Sequence, residues 1–219
     1  MIECFLAIDF DGTIAEDDVT DAVLTKFAGD EWLEIEACWL KGDIGSKECL
    51  VRQMALVEAD WEAVLSFIDG LAIDCKFAAF IQFVRMQGTA HAIISDGFAV
   101  FIRRILANAG IIGVPIFANY LTDENGVLKA SFVNDAVGCP AGTCKCAVVE
   151  RLKMNLPVVL IGDGRSDFCL ADKADFVFAK DRLAEYCRER GIAHLEYRDF
   201  ADVIDNLSRL TLSDMQQVG

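Results

Sequence analysis

The stretch "CFLAIDFDGT" (residues 4–13) decides how the chain is read. An almost unbroken apolar run, "CFLAI", ends on Asp9, and Asp11 follows two residues later. A continuous apolar run of this length is the signature of a strand buried on both faces, as in a parallel sheet covered by helices. A carboxylate at the end of such a strand is costly unless something compensates it.

Three further runs have the same character: "AHAII" (90–94), "VVLI" (158–161) and "FVFA" (176–179). Helical spacing falls between them, at 76–87, 98–109, 145–154 and 167–173. The alternation predicts βαβ units in a Rossmann-like, doubly wound parallel sheet, an α/β fold. Beyond it the sequence predicts a helix near 182–190, a strand at "HLEY" and a last helix from Phe200, with a polar, fraying tail after Leu212. Residues 17–72 carry amphipathic helical patterns, all three tryptophans (Trp32, Trp39, Trp61) and no convincing strand. We therefore expect an all-helical cap at 16–75 inserted after the first strand, with 1–15 and 76–219 forming the core domain. Asn125-Gly126 is a type I′ turn signal, predicting a β-hairpin at 120–132.

Each core strand runs into a polar cluster: Asp9, then Ser95-Asp96-Gly97, then Gly162-Asp163-Gly164. Ligands of open α/β sheets bind outside the carboxyl ends of the strands, so these clusters converge on one edge. Lys145 opens the predicted helix leading into the 158–161 strand. The residue types suit phosphate-ester chemistry. Asp9 and Asp163, with a backbone carbonyl near residue 11, offer an oxygen-rich site for Mg²⁺. Asp9 can act as nucleophile and Asp11 as acid/base. Ser95 and the amides of Asp96 and Gly97 lie at a helix N-terminus, an anion site. Lys145 supplies a point charge, and Asp167, one helical turn past Asp163, can order Lys145 or a metal-bound water.

"DFDGT", "SDG", Lys145 and "GDGRSD" (162–167), in that order, resemble the four motifs of the haloacid-dehalogenase superfamily of Mg²⁺-dependent phosphatases. The position of the cap resembles the phosphoserine-phosphatase-like group. "GTCKC" and "FAKDRLAEYCRERGIAHLEYRDF" look closest to the methionine-salvage phosphatases that act on 2-hydroxy-3-keto-5-methylthiopentenyl 1-phosphate. The resemblance implies Asp9 as nucleophile and metal ligand, Asp11 as acid/base, and Ser95 and Lys145 on the phosphate. It also implies Asp163 as a ligand and Asp167 in support. The metal set so expected is Asp9, Asp11 and Asp163; the substrate set is Gly12, Thr13, Asp18, Asp96 and Gly97. Two departures stand out. The cap glutamate and arginine of a phosphoserine phosphatase are replaced by Asp18 and Gln53, with Arg52 one place off register. The second motif reads "SDG" where the salvage phosphatases read "SGG".

Composition sets the outer bounds. The 219 residues are 54% apolar and 25% charged, with a net charge of −15. That balance and the absence of a basic stripe exclude nucleic acid as a partner, and no apolar run reaches the ~18 residues of a membrane span. An anionic substrate then needs a cation, most simply Mg²⁺ with lysine or arginine. The expected partner is a small phosphorylated metabolite, the expected assembly a monomer or homodimer, and the expected location cytoplasmic, where nine cysteines stay reduced. Cys139, Cys144 and Cys146 lack a fourth soft ligand nearby in sequence and read as a reduced loop. His91 reads as a satisfied buried histidine and His194 as structural, and the tryptophans as cap core, with Trp39 able to face the cleft. Phosphoserine is the alternative substrate, and a phosphate-binding regulator without turnover the alternative of another class.

Overall fold

The computed structural model describes residues 3–207 and Arg209; the tail after Leu212 lies outside them. β1 (Phe5–Ile8) is buried at all four positions because it runs in parallel between β2 (Ala90–Phe98) and β5 (Val158–Gly162). Phe5 is in register with Ala90 on one side and Val158 on the other. With β3 (Ile116–Glu124), β4 (Val127–Ser131), β6 (Phe176–Ala179) and β7 (His194–Glu196), the sheet has the order β4-β3-β2-β1-β5-β6-β7. The chain winds outward from β1 on one side, then returns to build the other side. That reversal beside β1 is where such sheets open a crevice.

Alternate residues of β1 face opposite layers, as the strand period of two requires. Leu6 and Ile8 pack in a cluster with Phe77 and Phe80 of α5 (Phe77–Gln87), Phe101 of α6 (Ala99–Asn108) and Phe200 of α10 (Phe200–Leu207). Phe5 and Ala7 belong to a second cluster with Val148 of α7 (Lys145–Leu152), Leu170 of α8 (Phe168–Ala171) and Leu183 of α9 (Asp181–Arg190). Helices thus cover both faces of a mostly parallel sheet, the doubly wound arrangement expected.

Between β1 and β2 the chain forms α1 (Val19–Phe27), α2 (Glu31–Lys41), α3 (Ser46–Met54) and α4 (Trp61–Ile68) before α5. The two crossings of this helical segment meet in an isolated antiparallel bridge, Ala15 with Ile73. Glu16 N donates to Ala72 O (3.2 Å) and Asp74 N to Ile14 O (2.9 Å). The 125–126 turn has φ of 57° at Asn125 and 84° at Gly126, the two positive values a type I′ turn needs.

Four expectations are corrected. β2 does not stop at residue 94; it continues through Ser95-Asp96-Gly97 to Phe98, with a shift of register against β3 after Ile94. The hairpin strand begins at Ile116, and its first half is a parallel strand of the main sheet. Pro115 and buried Asn119 had broken that run in the sequence pattern. The helix expected at 167–173 is a 3₁₀ turn, Arg165–Asp167, followed by α8. His91 is not fully satisfied: Nδ1 contacts Thr89 O at 2.9 Å, but the buried Nε2 has no partner. Among the described residues no helix is long and apolar enough to cross a membrane.

Candidate active site

β1, β2, β5 and α7 deliver their polar residues to the crevice. Asp9 follows β1 and is 4% exposed. Its Oδ1 accepts from Phe10 N (2.7 Å) and from Lys145 Nζ (2.8 Å); its Oδ2 accepts from Ser166 Oγ (3.4 Å). Lys145, first in α7, also donates to Asp167 Oδ1 at 2.7 Å. Burial works against its charge, but Asp167 and then Asp9 more than offset this and raise its pKa. Lys145 is therefore a fixed cation between two carboxylates.

Asp163, just past β5, accepts from Thr13 Oγ1 at 2.9 Å. Gly12, at φ 65°, is placed so that a Cβ there would collide with the Asp163 carboxylate. Asp167 is fully buried, and its Oδ2 accepts the amides of Asp163 (3.3 Å) and Gly164 (3.4 Å). Asp9, Asp163 and Asp167 present carboxylate oxygens within 4.8 Å of one another. Three carboxylates face one ammonium, so negative charge is in surplus. Burial first, then Asp9, push Asp163 up to about 7. Such a surplus of hard oxygen donors fits a divalent cation.

The structure divides the expected metal set. Asp163 stays with Asp9, whereas the Asp11 side chain turns toward the helical segment. Its Oδ1 accepts Val19 N (3.0 Å) and its Oδ2 accepts Ser95 Oγ (3.1 Å). Burial, then Asp18 and Asp9, raise its carboxyl well above the usual carboxylate range. Ser95 is fully buried and accepts the Gly97 amide at 2.9 Å. Thr13 is buried and orients Asp163, and the Asp96 carboxylate is held by protein donors.

A cavity of about 460 Å³ opens over Asp9, Asp11 and Asp163. Its far wall, from α1 to α3, carries Asp18, Asp21 and Glu36 beside Trp32, Trp39 and Leu40. Trp39 faces the cleft and lies 5.9 Å from the Arg165 guanidinium, while Trp61 stacks on Phe101 away from it. Burial and then Asp18 push Asp21 to about 8; Asp18 itself rises to about 6, but it is exposed at the rim and better screened. Gln53 lines the cavity and donates to Glu36 Oε2 (3.0 Å), whereas Arg52 is exposed and faces Glu48. Sequence reading missed Ser166, Glu36, Asp21 and Arg165. Only Arg165 and Ser166 had a signal, their place inside "GDGRSD". The nine cysteines are free, and Cys139, Cys144 and Cys146 form no group of metal-ligand geometry. His194 Nδ1 contacts Ile192 O at 2.8 Å.

The charge surplus predicts a pH effect. In the metal-free protein Asp163 keeps a proton, at about 7, that the unfolded chain has released above about 4. The native state binds more protons in that window, so stability falls as pH rises through it. Denaturant titrations in EDTA are expected to lose roughly 1–3 kcal/mol between pH 5 and 7.5, and Mg²⁺ to restore it by replacing the proton. A flat profile in EDTA would contradict the proximity of these carboxylates.

Comparison with known proteins identifies the family. The family model described as Putative Phosphatase matches residues 4–187. A 2-hydroxy-3-keto-5-methylthiopentenyl-1-phosphate phosphatase of Bacillus velezensis is 30% identical over 212 residues, covering 92% of this chain and 90% of its own. A phospho-aspartyl intermediate analogue of phosphoserine phosphatase has a TM-score of 0.68 at 20% identity, covering 94% of this chain and 99% of its own. A haloacid-dehalogenase-family hydrolase of Salmonella enterica serovar Typhi has a TM-score of 0.69 at 17% identity, covering 91% and 69%. The chain belongs to the putative phosphatase family, has the haloacid-dehalogenase fold, and is a phosphoric monoester hydrolase.

Proposed function

We propose that Asp9 takes the phosphoryl group of a small-metabolite monoester as an aspartyl-phosphate, with residues 16–75 acting as a cap over a core of 1–15 and 76–219. A carboxylate oxygen of Asp9 bonds to phosphorus as the bond to the leaving oxygen breaks. Asp11, whose buried surroundings favour its protonated form, gives that oxygen its proton. Asp11 then takes a proton from the attacking water, and phosphate leaves Asp9. Ser95, the amides of Asp96 and Gly97, and Lys145 hold the phosphoryl oxygens, with Gly12, Thr13 and Asp18 shaping the site around them. Asp9, Asp163 and a backbone carbonyl near residue 11 hold Mg²⁺, with Asp167 in support. Mg²⁺ supplies the positive charge that a chain of net charge −15 lacks at this point. The observation carrying this reading is the meeting of Asp9, Asp163 and Asp167, with carboxylate oxygens within 4.8 Å of one another, around a Lys145 that pairs with Asp9 and Asp167.

For the substrate we favour the methionine-salvage enol phosphate or a similar sugar-like phosphate. The far wall is apolar and acidic, and among the described residues no cap lysine or arginine lines it, so the carboxylate of phosphoserine finds no partner on that side; Arg165 and Arg182 belong to the core. The salvage relative named above supports the same choice. We place the enzyme in the cytoplasm as a monomer or homodimer. The test is a panel of phosphorylated metabolites assayed with Mg²⁺ and with EDTA. We expect kcat/KM for the methylthio enol phosphate to exceed that for phosphoserine by at least about 100-fold, the penalty of about 2.7 kcal/mol for an unpaired charge in a closed site. Equal rates would overturn the substrate assignment, and full activity in EDTA the metal.

A further inference from the structure

Asp96 stands between two residues of the phosphate site, yet the chemistry above uses only its amide. Its carboxylate joins three segments. Oδ1 accepts Thr143 N at 2.7 Å and Asn119 Nδ2 at 3.0 Å; Oδ2 accepts the hydroxyl of Ser46, the first residue of α3. Asn119 completes the ring, its Nδ2 also reaching Asp96 O (2.5 Å) and its Oδ1 accepting Thr143 Oγ1 (3.0 Å). Gly142 N donates to Ser46 Oγ at 3.4 Å. Alongside, Lys47 N donates to Pro140 O (3.2 Å) and its ammonium pairs with Asp135. The seam is tight: a Cβ on Gly45 would strike Pro140, and one on Gly142 would strike Phe132 and Asn119. Thr143 lies two residues before Lys145.

We infer that Asp96 is a positioning residue that makes the placement of Lys145 depend on the cap being docked. One oxygen meets Ser46 only when α3 lies against the core; the other holds the amide at the entry to α7. Burial pushes the Asp96 carboxyl up while the three donors pull it back, so undocking removes one of the bonds that keep it an acceptor. The segment carrying Lys145 then keeps its bonds to Asp96 and Asn119 but loses the Ser46 support behind them as the cleft opens, and regains it on closure. The inference rests on the proposed function for what Lys145 does, not for the linkage itself.

Two readouts test it on the full chain. The first is amide exchange at Thr143, whose N–H donates to Asp96 and not to Ser46. Ser46→Ala is expected to speed that exchange about tenfold, and Ser46→Thr, which keeps the hydroxyl, to leave it near wild type. The second is hydrolysis of p-nitrophenyl phosphate with Mg²⁺ by Ser46→Ala, Asp96→Ala and the double variant. Each single change is expected to lower kcat about 10- to 100-fold with little change in KM, and the double variant to be no worse than Asp96→Ala. Unchanged exchange at Thr143 in Ser46→Ala, or kcat losses that multiply, would overturn the linkage. If Asp96→Ala fails to fold, the Ser46→Ala and Ser46→Thr exchange rates decide alone. An inactive wild type would count against the proposed function, while the exchange measurement would still judge this inference.

Discussion

Asp9→Asn is expected to take hydrolysis of p-nitrophenyl phosphate to background, a fall of about 10⁴-fold or more, the scale on which loss of a nucleophile is felt. The side chain keeps its size and its oxygen can still accept the Phe10 amide, so the fold has no reason to change. An amide, however, is a far weaker nucleophile than a carboxylate. The electrostatics separate chemistry from damage. Removing one of three clustered carboxylates lowers the mutual repulsion that raises Asp163, while Lys145 retains Asp167 at 2.7 Å. Thermal melting in EDTA should therefore show Asp9→Asn no less stable than wild type. Activity of even a tenth of wild type would remove Asp9 as the group that takes the phosphoryl.

Lys145→Met is expected to be the most damaging single substitution to stability among the site residues. Lys145 is 4% exposed and is the cation between Asp9 and Asp167, themselves 4% and 0% exposed. Breaking a buried ion pair by deleting one partner typically costs about 3–5 kcal/mol, because the other charge is left unpaired. Urea titration in EDTA at pH 7.5 should register a loss of that size. Adding Mg²⁺ should recover part of it, since a divalent ion at the same carboxylates supplies the missing charge. Activity should fall about 10²- to 10³-fold even in Mg²⁺, as the donor proposed to meet the developing phosphoryl charge is gone. Wild-type stability without metal would mean that Asp9 or Asp167 is neutral in the native state.

The parts of the fold visible in the sequence were those dictated by local chemistry. β1, β5 and β6 are buried on both faces, which makes them continuous apolar runs whatever surrounds them. Asp9 and Asp163 follow two of these strands and Lys145 opens the helix that leads into β5, so the sheet topology carries them to one edge. β3 was half hidden because a buried polar residue, Asn119, interrupts it, and Asn119 is there for Asp96 and Thr143, which are distant in sequence. The Asp96 side chain was unreadable for the same reason: its partners come from positions 46, 119 and 143. The far wall of the cleft suffered most. Asp21 and Glu36 look like ordinary solvated helix positions until α1 and α2 turn them toward a common cavity. Which face of a helix becomes a binding wall is a tertiary fact, and amphipathic patterning is silent on it.

The Ala15–Ile73 bridge has a practical consequence. The chain enters and leaves the helical insertion side by side, so the whole unit hangs from a stem two strands wide. A stem of that kind makes the insertion portable: residues between its two sides can be exchanged for the equivalent piece of a relative without cutting the sheet. Chimeras joined at 15 and 73 would exchange the far wall of the cleft while leaving the sheet intact, provided the donor supplies a hydroxyl where Ser46 meets Asp96.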